Sequence, residues 1–90
     1  MKDELFLRGE KVPMTKEAVR ALALSKLELH QARHLIDIGA GTGSVSIEAA
    51  LQNPTLRVTA IERNPAALRL LAENCRHFAC DNVRIVEGVA

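Results

Sequence analysis

Tryptophan and tyrosine are absent from this 90-residue chain, and phenylalanine occurs only twice. Nucleic-acid surfaces are built from basic patches and aromatic stacking platforms. A chain with a formal net charge of +1 and so few rings has neither, and no nucleic-acid partner is expected. No apolar run approaches the roughly 20 residues of a membrane span, so no membrane partner is expected either. The opening Met1-Lys-Asp-Glu lacks the apolar region of a signal peptide. A cytoplasmic protein is the reading that remains. There are only two cysteines, Cys75 and Cys80, which in such a compartment are free thiols. Beside His77 they crowd into one short stretch without the paired spacing of a zinc site, and no metal is expected. Repeats, low-complexity tracts and a second domain are also missing. With 48% hydrophobic and 26% charged residues, the composition is that of one ordinary soluble domain over residues 1–90. A chain of this length has room for one small core, burying about two thirds of its unfolded surface at best.

Glycine is scarce too, but three of the five glycines fall within five positions: Gly39, Gly41 and Gly43. They follow Leu35 to Ile38, an apolar run short enough to be a buried parallel strand. Ser44 to Gln52 continues as a helix, stopped by Asn53-Pro54. Strand, glycine turn and helix make the first half of a nucleotide-binding βαβ unit. The turn needs backbone angles closed to residues with a Cβ, and it lets a ligand touch the main chain. The helix beyond it presents free N–H groups and partial positive charge.

The flanks read in the same alternation. Residues 1–14 predict a mobile start and then an extended segment, Gly9 to Met14. Thr15 is placed to cap a helix over residues 15–29, with Glu17 in its first turn. Val19, Leu22, Ala23 and Leu27 would form that helix's apolar face, and Lys16, Arg20 and Lys26 its solvated face. After a polar link, residues 34–90 form the βαβαβ core. Leu56 to Glu62 is the second strand. Asn64-Pro65 opens the next helix as cap and first residue, and Leu68, Leu71, Cys75 and Phe78 form its buried stripe. Asp81-Asn82 is a turn and Val83 to Glu87 the third strand. Right-handed crossovers then order the strands 3-2-1. The fold class is α/β, the N-terminal half of a doubly wound parallel sheet with helices on both faces.

Two acids add chemistry to this frame. Asp37 stands two residues before the first glycine, and Glu62 ends the second strand nineteen residues after Gly43. Both fall at the carboxyl edge of neighbouring strands, where open α/β sheets bind ligands. An acid in Glu62's position accepts ribose hydroxyls, whether of S-adenosylmethionine or of NAD. Asp37 suits a ligand carrying an ammonium and a sulfonium and sits badly beside a pyrophosphate. His30, His34 and His77 have no neighbours suggesting a catalytic triad, and the catalytic residues are not visible. His34, at a strand start, reads as structural.

The stretch from Asp37 through Gly39, Gly41 and Gly43 resembles the first motif of the S-adenosylmethionine-dependent methyltransferases with a Rossmann-like fold. With Gly9-Glu-Lys-Val-Pro-Met-Thr-Lys-Glu-Ala-Val-Arg20 before it and Ile61-Glu-Arg-Asn-Pro-Ala-Ala67 after it, the chain resembles the decarboxylating carbon-15 methyltransferase family of cobalamin biosynthesis. The likeness covers essentially all of this chain and about the first half of a family member. It implies a tetrapyrrole substrate, a cobalt-precorrin, with S-adenosyl-L-methionine as methyl donor. It implies that Thr15 closes over the cofactor, that Gly39, Ala40, Gly41, Thr42 and Gly43 touch it through the backbone, that Glu62 holds the ribose, and that Gly88 to Ala90 lies by the adenine. Relatives often carry an acid between that glycine and alanine; here it is Val89, so the implied contact is through the backbone, at Ala90.

Two other readings use the same residues. An NAD(P)-binding oxidoreductase module shares the glycines, but a dinucleotide fingerprint needs Gly-x-Gly-x-x-Gly/Ala, and its third small position falls on Ser44. A non-catalytic fragment of the methyltransferase is the other reading. A half-sheet whose first strand lacks a neighbour further predicts self-association of the 90-residue chain, and a homo-oligomer is expected.

Overall fold

The computed structural model describes residues 1–9 and 11–89, so the position expected for Ala90 lies outside the described residues. Three strands, β1 (His34–Ile38), β2 (Arg57–Glu62) and β3 (Val83–Glu87), form one parallel sheet in the order β1-β2-β3. This is the expected 3-2-1 order. Three helices are interleaved: α1 (Glu17–Lys26), α2 (Ser44–Gln52) and α3 (Pro65–His77). Asp37 pairs in register with Ala60, and Glu62 with Glu87, so the carboxyl ends of all three strands lie together.

Local signals explain two of the helices. Asn64 caps α3 by accepting hydrogen bonds from the amides of Ala66 (2.9 Å) and Ala67 (3.2 Å), and Pro65 supplies the first helical residue. The last amide bond of α2 reaches Asn53, beyond which Pro54 forbids continuation. Of the expected α3 stripe, Leu71 and Cys75 are buried, while Leu68 and Phe78 are half-buried; Ala67 and Asn74 complete the face.

The helices of this half-sheet cover one face, not both. Leu24 of α1 and Ala49 and Ala50 of α2 pack with Val58 and Val83, and Leu71 and Cys75 of α3 pack with Ala60, Val83 and Ile85. Successive right-handed crossovers that travel one way across a sheet place their helices on the same side. Only a reversal of direction carries helices to the other side. The opposite face, with Ile36 (56% exposed) and Ile38 (64% exposed), is open among the described residues.

The N-terminal third departs most from expectation. Helix α1 spans Glu17–Lys26 rather than residues 15–29, and its cap position is Lys16, with no side-chain cap bond. Glu28 adopts a left-handed conformation (φ 51°) that turns the chain into a 3-10 segment, Leu29–Gln31, and buries Leu29 against Ala49 and Leu56. Val19, Leu22, Ala23 and Leu27 are all exposed; the buried residues of α1 are Arg20 and Leu24. The reason is Arg20, which is fully buried and not solvated. Its guanidinium bonds Glu48 of α2 (3.1 Å), Asp3 (2.8 Å) and the carbonyls of Met1 and Thr15, and lies 5.0 Å over the Phe6 ring. A buried guanidinium must have such partners, and those partners turn α1 about its axis. The expected mobile start is therefore ordered. Asp3–Leu5 forms a 3-10 turn, and Phe6 packs among Leu71, Cys75 and Phe78. No helix among the described residues is long and apolar enough to cross a membrane.

Candidate functional site

The glycine turn, the end of β2 and the segment before α1 enclose a crevice of about 450 Å³ at the carboxyl edge of the sheet. Gly39, Ala40 and Gly41 form one wall, Glu62, Arg63, Asn64 and Ala67 the floor, and Lys11 to Thr15 the other wall. Such a volume suits a small-molecule site. A larger hollow of about 740 Å³ lies among Ser25, Glu28, His30, Arg33, Asn53 and Thr55. It sits at the amino ends of the strands, away from the edge where α/β sheets bind ligands.

Glu62 is the organising side chain of the crevice. It is 9% exposed. One carboxylate oxygen accepts the amide of Gly41 (2.8 Å) and the other the amides of Arg63 and Asn64 (both 3.0 Å). These bonds, that of Asn64 foremost, hold the carboxyl below its usual range against the opposing effect of burial. Glu62 is therefore an ionised acceptor fixed to the glycine turn, and it has a structural role that its place at a strand end did not suggest.

The turn itself is bonded internally. The amides of Gly39 (2.8 Å) and Ala40 (3.1 Å) both donate to the Ile61 carbonyl, and that of Gly43 to Ala40 (2.9 Å). Gly41 has φ 59°, and a Cβ there would stand 3.1 Å from the Pro13 carbonyl. Gly43 has φ 88°, and its Cβ would collide with Leu71 of α3. Of two glycines in one motif, Gly41 thus faces the crevice and the segment across it, while Gly43 lets α2 and α3 approach.

Of the expected site residues, Thr15, Gly39, Ala40, Gly41 and Glu62 meet at the crevice. Thr42, Gly43 and Asp37 do not line it. Thr42 is buried, its hydroxyl has no hydrogen-bond partner among the described residues, and its carbonyl accepts from Asn74. Asp37 faces the helices, accepting the Ser46 hydroxyl (2.7 Å). Burial raises its pKa, opposed by bonds from Ser46, with a small further rise from Glu62. That bond occupies one carboxylate oxygen, Oδ2, and leaves Oδ1 for a further donor. Thr15 is at the crevice but does not cap α1. Gly88 donates to the Glu62 carbonyl (2.9 Å), so the end of β3 stands beside the floor.

Sequence reasoning missed Lys11, Arg63 and Ala67, which line the crevice, and Asn74 behind it. Asn74 was visible as a polar residue one position before Cys75 in an apolar stripe. His34 bonds Thr59 (2.8 Å) at the amino end of the sheet, far from the crevice. Cys75 and Cys80 are free; burial pushes the Cys75 thiol up to about 11.

A family model described as a precorrin methyltransferase domain matches residues 5–90. This chain belongs to that family. It is 81% identical over 90 residues to the cobalt-precorrin-6B C(15)-methyltransferase (decarboxylating) of Salmonella typhimurium, covering all of this chain and 47% of that protein. The crystal structure of precorrin-6y C5,15-methyltransferase from Geobacter metallireducens superposes with a TM-score of 0.89 at 43% identity, over 98% of this chain and 46% of the other. That of precorrin 8W decarboxylase from Methanobacterium thermoautotrophicum gives 0.88 at 34% identity, over 100% and 48%. The chain thus spans about half the length of the curated relatives it matches.

Proposed function

We propose that the chain is the cofactor-binding half of a methyltransferase that transfers a methyl group from S-adenosylmethionine to carbon 15 of a cobalt-precorrin, with decarboxylation. The observation that carries the cofactor assignment is the fate of the glycine-turn amides. A pyrophosphate needs free N–H groups at such a turn. Here four of them, on Gly39, Ala40, Gly41 and Gly43, already donate within the protein, one to the ionised Glu62. The turn therefore offers close approach without an anion nest, beside a carboxylate. That combination fits an uncharged ribose, one of whose hydroxyls donates to Glu62, and it repels a diphosphate. The substrate assignment rests on the names of the relatives.

When bound, S-adenosylmethionine supplies an already activated sulfonium methyl. The residues of this chain bind and orient. Glu62 accepts a ribose hydroxyl with the one lone pair that its three amide partners leave on the carboxylate. Gly41 admits the ligand to the main chain, and Thr15 with Pro13 and Met14 walls it from solvent. Such positioning is worth about 7–11 kcal/mol of barrier in the best cases, and fixed dipoles add to it. The alternative, an NAD(P)-binding oxidoreductase module, requires the amides that Ile61 and Glu62 already hold.

Calorimetric titration of the full-length protein with S-adenosylmethionine, S-adenosylhomocysteine and NAD decides between them. We expect the first two to bind and NAD to bind far more weakly. NAD binding as tightly as the sulfonium compound overturns the assignment.

A further inference from the structure

We propose that Asn74, with Arg20, is a positioning residue: the two pin the N-terminal segment against the glycine turn and so hold the outer wall of the crevice in place for the cofactor. The inference rests on the cofactor reading above.

Asn74 is fully buried on α3, where an apolar residue would carry no desolvation cost. Its carbonyl oxygen accepts the Leu7 amide (2.7 Å), and its amide nitrogen donates to the Leu7 carbonyl (3.0 Å) and to the Thr42 carbonyl (2.9 Å). One side chain thus joins the segment before the crevice to the turn beneath it. Arg20 joins the other end, donating to the Thr15 carbonyl and anchored by Glu48. Between these two pins run Lys11 to Thr15, which form the outer wall, and the Pro13 carbonyl there stands over Gly41. Neither Asn74 nor Arg20 lines the crevice. Both act through backbone groups of residues that do, or that neighbour them.

The test is Asn74→Asp in the full-length protein. It keeps the shape and the acceptor for the Leu7 amide but leaves at most one of the two donated bonds, that of a protonated carboxyl. We expect S-adenosylhomocysteine to bind at least tenfold more weakly, mostly through faster dissociation, with hydrogen exchange quickened at residues 11–15 and 39–43 together. Activity should show a raised KM for S-adenosylmethionine with little change in kcat. A double-mutant cycle with Thr15→Ala separates this from a general loss of packing: once Asn74 is changed, the Thr15 substitution should cost markedly less affinity than in the parent. Additive effects overturn the proposal, as does affinity within twofold of the parent. If Asn74→Asp does not fold, Pro13→Gly loosens the same wall from an exposed position and must weaken binding several-fold; unchanged affinity overturns the proposal. If the parent binds neither adenosyl compound, the cofactor reading fails by itself. The pinning is then judged on exchange alone, where quickening of both segments supports it and quickening of only one overturns it.

Discussion

At the scale of the residue, Glu62 combines two duties that mutagenesis separates. Its carboxylate satisfies three backbone amides and also faces the crevice. Were it merely exposed at a strand end, its loss would leave folding untouched. Because it is buried, Glu62→Ala should lower fold stability at pH 7 by about 1–3 kcal/mol, the effect of leaving amides unpaired. It should weaken cofactor binding by a similar factor. The pH dependence has a definite sign. The folded-state pKa lies below the ordinary 4.5, so the stabilisation is present above that value and is lost as pH falls through the folded one. Urea denaturation of parent and variant should therefore differ at pH 7 and converge in acid. Equal midpoints at pH 7 would sink the structural role, and equal affinities the ribose role. Asp37 shifts the other way, and its ionisation is disfavoured by burial.

At the scale of the element, the glycine turn divides into a ligand side and a packing side. Gly41→Val places a branched side chain at a left-handed φ and against the Pro13 carbonyl, in the space a ligand needs. Binding should vanish while the circular dichroism of the helices persists. Gly43→Ala instead strikes Leu71, and should lower the thermal midpoint by overpacking worth about 1–3 kcal/mol. A variant at Gly41 that binds normally would refute the close-approach argument. One at Gly43 that melts like the parent would refute the packing argument. Asparagines join the elements in a similar way. Asn82 donates to the carbonyls of Ala50, Asn53 and Leu56, and Asn53 to that of Leu29, so the ends of α2, β2 and the 3-10 segment are tied together.

At the scale of the whole molecule, the unmatched surface among the described residues is the open sheet face and the two sheet edges, β1 and β3, of which β1 carries the exposed Ile36 and Ile38. Strand β1 pairs only with β2 among the described strands, and its Ile36 and Ile38 point to the side without helices. The one carboxylate of this strand, Asp37, is turned inward to Ser46, and an edge left otherwise apolar is a template for pairing with another chain. The 90-residue chain expressed alone should therefore sediment above its 9.8 kDa monomer mass, and Ile38→Lys should shift it toward monomer. A stable, cooperatively folding monomer of the parent sequence would refute this.

Signals that act within a few residues were legible in the sequence itself. Asn53-Pro54 ends α2, Asn64-Pro65 starts α3, and the spaced glycines turn the chain between strand and helix. From these followed the three parallel strands, their order and the crevice at their carboxyl edge. Tertiary structure alone decided which side chains those elements bury. Arg20 resembles a solvated lysine neighbour until Glu48, 28 residues on, accepts its guanidinium. Asn74 resembles an interruption of an apolar stripe until Leu7, 67 residues back, meets it. Asp37 and Glu62 look alike as acids at strand ends, yet Ser46 turns one toward the helices while the Gly41 amide holds the other at the crevice. Local propensity is a property of neighbours in the chain. Burial of a polar group depends on partners brought near only by folding, because without them its desolvation would not be offset.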